Sequence, residues 1–463
     1  MEVIIDNNYI FFKFENESKS QINSISQAFT YKDDTKAMSA KGFDPKKVKT
    51  VNFIDKRKSV HMLYSGFLYE FLKTCKQKKI QVNLTDRREK FDFQNKEHEN
   101  LEQYFPYDYN DHETRALKKM LKNTNGIIKA ITSAGKGDII AAYFKHTKIS
   151  GLVLVNKKAL ANQLAQRAKD FGIKNVGVWH GDKKEFGDLV FATIQSAKGL
   201  PSLNFDALVI DEVHNASSKT FQDFLKKNEF KVKFGFSATP NKGNEYLFAT
   251  IRQFLGPIII EIKAPELMQN EVVARPSIYF VPVNVKPEMD WPRSYVYGII
   301  KNKERNKKIV EIVEAFNEKT LVLIKDVKNK QGELIQKEIE ELTDKKVSFI
   351  HGSTKKDIQQ ELEEFENGST DVLIATNILN EGISIKTIKL LVNASGGKSS
   401  KEQVQKLGRG LRITEDKRKV IVVDFYDYGN KFTERHSNER EKTYQKEGFD
   451  DINHVGSVDE IFQ

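Results

Sequence analysis

Residues 126–144 read GIIKAITSAGKGDIIAAYF. A short apolar run, Gly126 to Ile131, enters a loop of small residues, Thr132, Ser133, Ala134 and Gly135, which passes through Lys136, Gly137 and Asp138 into a helical pattern. Small residues let backbone N–H groups turn inward around phosphate oxygens. A helix start adds a favourable dipole, and Lys136 would neutralise the outer oxygens. A Gly-Lys pair before a helix also occurs as a plain strand-to-helix turn. Gly137 stands where a phosphate loop ordinarily carries Ser or Thr. From this stretch alone, both readings stay open.

Working outward, GLVLVN (151–156), LVFATI (189–194), ALVIDE (207–212) and KFGFSAT (233–239) are further apolar runs separated by helical stretches. The pattern restarts with TLVLI (320–324), VSFIHG (347–352), DVLIAT (371–376), KLLVNA (389–394) and KVIVVDF (419–425). Continuous apolar strands alternating with helices predict α/β architecture: two tandem doubly wound parallel-sheet domains, over residues 100–264 and 301–430. Residues 265–300, within a stretch holding five of the ten prolines, read as a connector with some extended structure, and 431–463 as a helical tail.

Ahead of these, residues 1–92 read as a small α+β domain. Strands are expected at Tyr9 to Phe14, Val48 to Ile54, Val60 to Tyr64 and Ile80 to Leu84. Helices are expected near Gln21 to Phe29 and Gly66 to Gln77. The basic DKRKS at 55–59 reads as a hairpin turn, and the charged, amide-rich 86–101 as a linker.

The 463 residues carry 75 Lys and Arg against 64 Asp and Glu, a net charge of +11. Between Lys41 and Lys90, 14 basic residues stand against five acidic ones, which favours a polyanionic partner over the ordinary alternative of a solvated lysine face. The single Cys75 cannot close an intramolecular disulfide, and no Cys-x-x-Cys pair offers a zinc site. The first residues contain no continuous apolar segment, and no uncharged apolar run approaches 18 residues. A cytoplasmic, membrane-free, monomeric protein is the expectation.

Three more motifs carry chemistry. In ALVIDEVHNA, an apolar strand delivers Asp211, Glu212 and His214 to its carboxyl end, where parallel sheets hold ligands. Asp211 suits a magnesium ligand and Glu212 a group that orients or deprotonates water; an acidic helix start is the alternative. FGFSATP places Ser237 and Thr239 after another strand, where hydroxyls could reach those carboxylates, or could simply form a turn. In QKLGRGLRITEDK, Gln405, Gly408, Arg409 and Arg412 open a helical pattern. The two arginines, three apart, share a face that is either a γ-phosphate sensor or a basic solvated surface.

Taken in order, the phosphate loop, DEVH, SAT and QxxGRxxR resemble the superfamily 2 helicases and translocases over residues 107–428. LVLVNKKALANQ (152–163), FATIQS (191–196), FIHGST (349–354) and LIATNILNEGISI (373–385) fit the same family's further motifs. The resemblance implies ATP and Mg2+ bound between two RecA-like domains, with a single nucleic-acid strand crossing both. It assigns Lys136 and its loop, Thr132 to Asp138, to the phosphates, with Gly382 joining the nucleotide set. Asp211 takes the metal and Glu212 the water, Gln405, Arg409 and Arg412 serve the reaction from the second domain, and His214, Ser237 and Thr239 couple the sites. Glu113, in HETRA (112–116), occupies the place of a family glutamine that reads adenine; a carboxylate can accept from the adenine amino group but cannot donate to N7. Asn156, Lys157, Thr193, Gln195, Thr354, Thr376 and Asn377 would contact the DNA backbone.

TSAGK, VFATIQS, the GISI form and the C-terminal VVDFYDYGN with His436, Arg440 and Tyr444 look most like the phage UvsW-type helicases. That group regresses forks, migrates Holliday junctions and unwinds D-loops and R-loops in replication, recombination and repair. Its likeness implies that the N-terminal domain, with Lys56, Arg57 and Lys58, binds duplex or junction DNA, and that recombination proteins are candidate partners. An RNA helicase, a restriction-type translocase motor, and a branched-DNA binder that hydrolyses ATP poorly because of Gly137 are the alternatives.

Overall fold

The structure, a computed structural model, describes residues 1–39, 42–106, 111–131, 134–181, 183–201, 204–241, 244–287, 290–351, 358–376, 388–397 and 419–462. It divides into two compact units, Met1–Ala130 with Gly135–Ile262, and Ile131–Ala134 with Lys263–Gln463.

The first unit begins with strands β1 (Glu2–Ile5) and β2 (Tyr9–Lys13), helix α1 (Lys19–Ala28), and β3 (Thr30–Asp33), β4 (Met38–Ser39), β5 (Gly42–Phe43) and β6 (Lys49–Asn52). Strands β7 (Asp55–Arg57) and β8 (Val60–Tyr64), helix α2 (Leu68–Gln77) and β9 (Asn83–Asp86) follow. The main sheet runs β7–β8–β2–β1–β9. Val3, Ile5, Ile10 and Phe12 alternate inward and pack on Ile25, Phe29, Phe71 and Cys75 from the helices, the period-two face that a half-buried sheet requires. Helix α1 starts on a reciprocal cap between Ser18 and Gln21.

The basic segment differs from expectation. Lys49–Asn52 pairs with β3, not with β8. The chain breaks after Asn52, whose amide oxygen accepts from Ile54 N at 2.7 Å while its nitrogen donates to Ser26 O and Thr30 Oγ1. Asp55–Arg57, expected within the turn, is itself a strand antiparallel to β8, and the turn is Lys58–Ser59, with Lys58 at φ 55°. The last strand lies at 83–86, where it adds parallel to β1, not at 80–84; Ile80 instead anchors the core.

The larger sheet of this unit comprises β10 (Asn125–Ala130), β11 (Gly151–Val155), β12 (Val176–His180), β13 (Lys183–Glu185), β14 (Leu189–Thr193), β15 (Ala207–Asp211), β16 (Val232–Ser237) and β17 (Ile258–Ile262). Their order is β13–β12–β14–β11–β15–β16–β10–β17, parallel except for β13. Strands β11, β14, β15 and β16 are buried along their whole length, as strands covered on both faces must be. Helices α3 (Asp111–Leu121), α4 (Lys136–Thr147), α5 (Lys158–Asp170), α6 (Ile194–Ala197), α7 (Lys219–Lys227) and α8 (Glu245–Leu255) connect them. Crossovers of this kind leave the carboxyl strand ends as the ligand edge.

The second unit has β18 (Arg275–Asn284), β19 (Thr320–Leu323), β20 (Val347–Ile350), β21 (Val372–Ala375), β22 (Leu390–Asn393), β23 (Lys419–Tyr428) and β24 (Ile452–His454), ordered β20–β21–β19–β22–β23–β18–β24 and all parallel. Two expectations change here. Residues 265–300 are not simply a connector, because β18 lies inside the sheet. Its two prolines, Pro276 and Pro282, flank the stretch Ile278–Phe280 that pairs on both sides, so neither removes a needed donor there. Residues 431–463 are not only helical: after helix Lys431–Lys446, β24 returns to the sheet.

A charged network lies at the centre of this unit. Arg440 donates to Asp424 at 3.1 Å, to Gly397 O at 2.8 Å and to Phe425 O at 2.6 Å; Arg305 bonds Asp427 at 3.1 Å and Ala394 O at 3.0 Å. Asn393 and Tyr444 complete the contacts to Asp424. Among the described residues, no helix is long and apolar enough to cross a membrane.

Candidate functional site

Three strand ends of the first unit's larger sheet converge. From β10 the chain reaches Gly135, which caps α4 at φ 69°, a left-handed conformation that favours glycine. A Cβ at Gly135 would also lie 2.1 Å from Glu113 Oε1, so the buried carboxylate of α3 sits directly against the loop. Strand β15 ends at Asp211, and Glu212 then turns through φ 49°, ψ 53°. A left-handed glutamate is uncommon, and here the turn directs its carboxylate back toward α4.

The outcome is a chain of polar contacts. Lys136 Nζ lies 3.2 Å from Glu212 Oε1 and 4.0 Å from Asp211 Oδ1. Glu212 Oε2 is 3.3 Å from His214 Nδ1, which is 3.1 Å from Ser237 Oγ at the end of β16. Ser237 Oγ in turn accepts from Thr239 N at 3.1 Å. Burial alone would raise the Glu212 pKa, but the Lys136 ammonium and the His214 contact outweigh it and hold the carboxyl well below its usual range. Glu212 is therefore an anion at neutral pH, paired with the Lys136 ammonium.

Gly137 has a packing reason of its own. A Cβ there would lie 2.8 Å from Leu164 Cδ2 of α5, and the next residue, Asp138, is ion-paired with Arg167 of the same helix. Asp138 thus ties α4 to α5, a link with no local sequence signal.

Strand pairing sets Val155 opposite Thr193, which brings Asn156 and Lys157 at the start of α5 beside Thr193 and Gln195 at the start of α6. Gln195 is exposed and Thr193 buried. Lys56, Arg57 and Lys58 are exposed on the β7–β8 hairpin, with Arg57 Nε 3.6 Å from Asp55. In the second unit, Thr376 is buried after β21. Thr132, Ser133, Thr354, Asn377, Gly382, Gln405, Arg409 and Arg412 lie outside the described residues. His180 bonds Asn162 Oδ1 at 3.0 Å, Trp179 packs on the core of the larger sheet, and the Trp291 ring meets His436 edge-on at 4.4 Å.

Residues 70–242 match the family described as type III restriction enzyme, res subunit, and residues 304–414 match the helicase conserved C-terminal domain. The chain is 25% identical over 342 residues to the ATP-dependent DNA helicase uvsW of Enterobacteria phage T4, covering 67% of each protein. It is 22% identical over 356 residues to the DNA 3'-5' translocase XPB2 of Sulfurisphaera tokodaii, covering 67% of this chain and 80% of that one. Among solved structures, S. cerevisiae Dbp5 bound to RNA and ADP BeF3 superposes with a TM-score of 0.52 at 17% identity, over 76% of this chain and 93% of that one, which speaks to fold. Two tandem RecA-like domains, with a glycine-capped helix start at Gly135–Lys136 and a strand-end Asp-Glu pair in the first, define the class. With both of these domains and these relatives, the chain resembles the superfamily 2 helicases. Other curated helicases that it matches are longer: it spans 60% and 52% of the length of two of them.

Proposed function

We propose that this chain is an ATP-driven DNA motor that remodels branched DNA, regressing forks, migrating Holliday junctions and unwinding D-loops and R-loops during replication, recombination and repair. The observation that carries the reading is the contact chain Lys136–Glu212–His214–Ser237 at the carboxyl edge of a parallel sheet. The donor set fits magnesium ATP: an ammonium, a strand-end carboxylate at Asp211 and a glycine-capped helix start. Bound there, the nucleotide supplies the reactive phosphoanhydride and the metal its charge.

In this reading Lys136 moves from Glu212 to phosphate oxygens, Asp211 faces the metal, and Glu212 accepts a proton from, or orients, the attacking water. Ser237 and Thr239 register the change through His214. Arg409 and Arg412 are assigned to the γ-phosphate from their motif alone. Asn156, Lys157, Thr193 and Gln195 grip a strand by its phosphates, which makes binding sequence-tolerant and salt-sensitive.

The branched-DNA preference rests on the exposed basic hairpin Lys56–Lys58 and on the likeness to uvsW, itself described as an ATP-dependent DNA helicase. Gly137 favours a second reading, a branched-DNA binder with weak turnover, because it offers no hydroxyl to the metal. Magnesium commonly keeps several waters, one of which can fill that place. Synthetic four-way junctions test the proposal: ATP-dependent conversion to duplex products supports it, and junction binding without conversion favours the second reading.

A further inference from the structure

The turn Ser237–Thr239 is held on both sides by the N-terminal domain. On its upstream side, Lys233 sits in β16, four residues before Ser237. Its side chain is buried, and its Nζ donates to Asn7 O at 2.6 Å and Asn8 Oδ1 at 2.9 Å, in the β1–β2 turn. A charged residue inside an otherwise apolar central strand is costly to bury unless it is bonded, and these are the bonds. On the downstream side, α8 docks along its length. Asn244 donates to Asp34 at 2.6 Å, Ala249 belongs to the N-terminal core, Arg252 is ion-paired with Glu70, and Phe254 meets the Tyr64 ring at 4.5 Å. Gly66 marks the closeness of this contact, since a Cβ there would lie 2.2 Å from Arg252 O.

Tyr64 ends β8, the strand whose other end forms the Lys56–Lys58 hairpin. Strand β16 ends in Ser237, which reaches Glu212 through His214. A continuous set of packed and bonded groups therefore runs from the hairpin to the candidate catalytic carboxylate, all within one compact unit.

We propose that the N-terminal domain regulates ATP turnover: branched DNA held at the hairpin biases the Ser237–Thr239 turn through Lys233 and α8, and so the placement of His214 and Glu212. This rests on the reading that the hairpin contacts DNA. Lys233 and Gly66 are positioning residues, remote from nucleotide and DNA. Contiguity alone does not establish coupling; a change in turnover that leaves binding alone does.

The experiment compares the full-length wild type with Lys233→Met and Gly66→Ala, two unrelated ways to loosen the docking. For each it measures kcat for ATP hydrolysis without DNA, with saturating single-stranded DNA and with a saturating four-way junction, plus junction Kd and melting temperature. The expected result is a junction-stimulated kcat that falls to the single-strand level in both variants, with junction Kd and the unstimulated rate within twofold of wild type. An unchanged ratio of junction to single-strand kcat overturns the proposal. So does a parallel loss of all three rates, which marks a merely structural role. Lys56→Glu with Arg57→Glu separates the underlying reading: normal junction affinity in that variant removes the hairpin as the DNA contact, whatever Lys233 does. A wild type that no DNA stimulates overturns both.

Discussion

Lys136 Nζ stands 3.2 Å from Glu212 Oε1, so the lysine that opens α4 and the candidate base hold each other in place. Glu212→Gln keeps the shape and removes the basicity. We expect it to lower kcat by about 10²- to 10⁴-fold, the usual range for loss of general-base catalysis, with ATP affinity retained. Steady-state hydrolysis and equilibrium binding of a fluorescent ATP analogue read the two effects separately.

The folded-state pKa of Glu212 is depressed, so its favourable contribution is complete above the ordinary carboxylate range and is lost only as pH falls through a much lower value. Glu212 therefore sets no acid limb between pH 5 and 7 in kcat/KM for ATP, which reports the free enzyme. Replacing His214 with Ala removes one of the contacts that lower it, and the acid limb of that variant moves upward. A wild-type limb near pH 6 that survives unchanged in His214→Ala would contradict this assignment.

Lys233 shifts in the same direction from the opposite cause, desolvation rather than a neighbouring charge. Burial pushes its ammonium down to about 8, partly opposed by Asp6 and Glu229, whereas the unfolded chain titrates near 10.5. Between those values the unfolded state binds the extra proton, so this residue's contribution to stability rises with pH. The melting-temperature difference between wild type and Lys233→Met is expected to grow in favour of wild type from pH 8 to 10. A flat difference would mean that the amine is not desolvated.

Gly137→Thr is the obvious way to restore a metal-binding hydroxyl, but Leu164 Cδ2 is 2.8 Å from the new Cβ. Overpacking costs about 1–3 kcal/mol, and the low end applies here because the atom met is the terminal methyl of a flexible side chain. We expect the single variant to melt earlier with little gain in turnover, and Gly137→Thr with Leu164→Ala to recover the packing loss at that position. Thermal melts and ATPase rates of the two, with Leu164→Ala alone as control, check it.

Arg440 is buried between Asp424 and Asp427 and also holds Gly397 O and Phe425 O. Arg440→Met leaves two buried carboxylates short of a partner, a loss of about 3–5 kcal/mol for a broken buried pair. Urea unfolding should show that loss in the transition of the second unit.

The parallel sheets were legible because strands covered on both faces must be apolar throughout, as in Leu152–Val155 and Val420–Val423. Asp211, Glu212 and Ser237 were legible because each follows such a run. Strand β18 was hidden by Pro276 and Pro282, which argue against a central strand unless their partners are known. The β7–β8 register was hidden because side-chain bonds of Asn52, not a Gly or Pro, break the preceding strand. Lys233 was visible as a charge inside KVKFGFS, yet its partners, Asn7 and Asn8, lie 226 and 225 residues away. No local pattern encodes a contact of that kind. The Asp138–Arg167 pair was hidden for the same reason, being made between neighbouring helices whose faces the sequence does not align.

The measurement that bears most directly on the account is steady-state ATP hydrolysis at fixed salt with no nucleic acid, single-stranded DNA, a four-way junction and a matched RNA, beside Glu212→Gln. The account predicts turnover stimulated most by the four-way junction, less by single-stranded DNA and least by RNA, and lowered by about 10²-fold or more in the variant. Equal rates with and without DNA, or a Glu212→Gln rate within about tenfold of wild type, would contradict it.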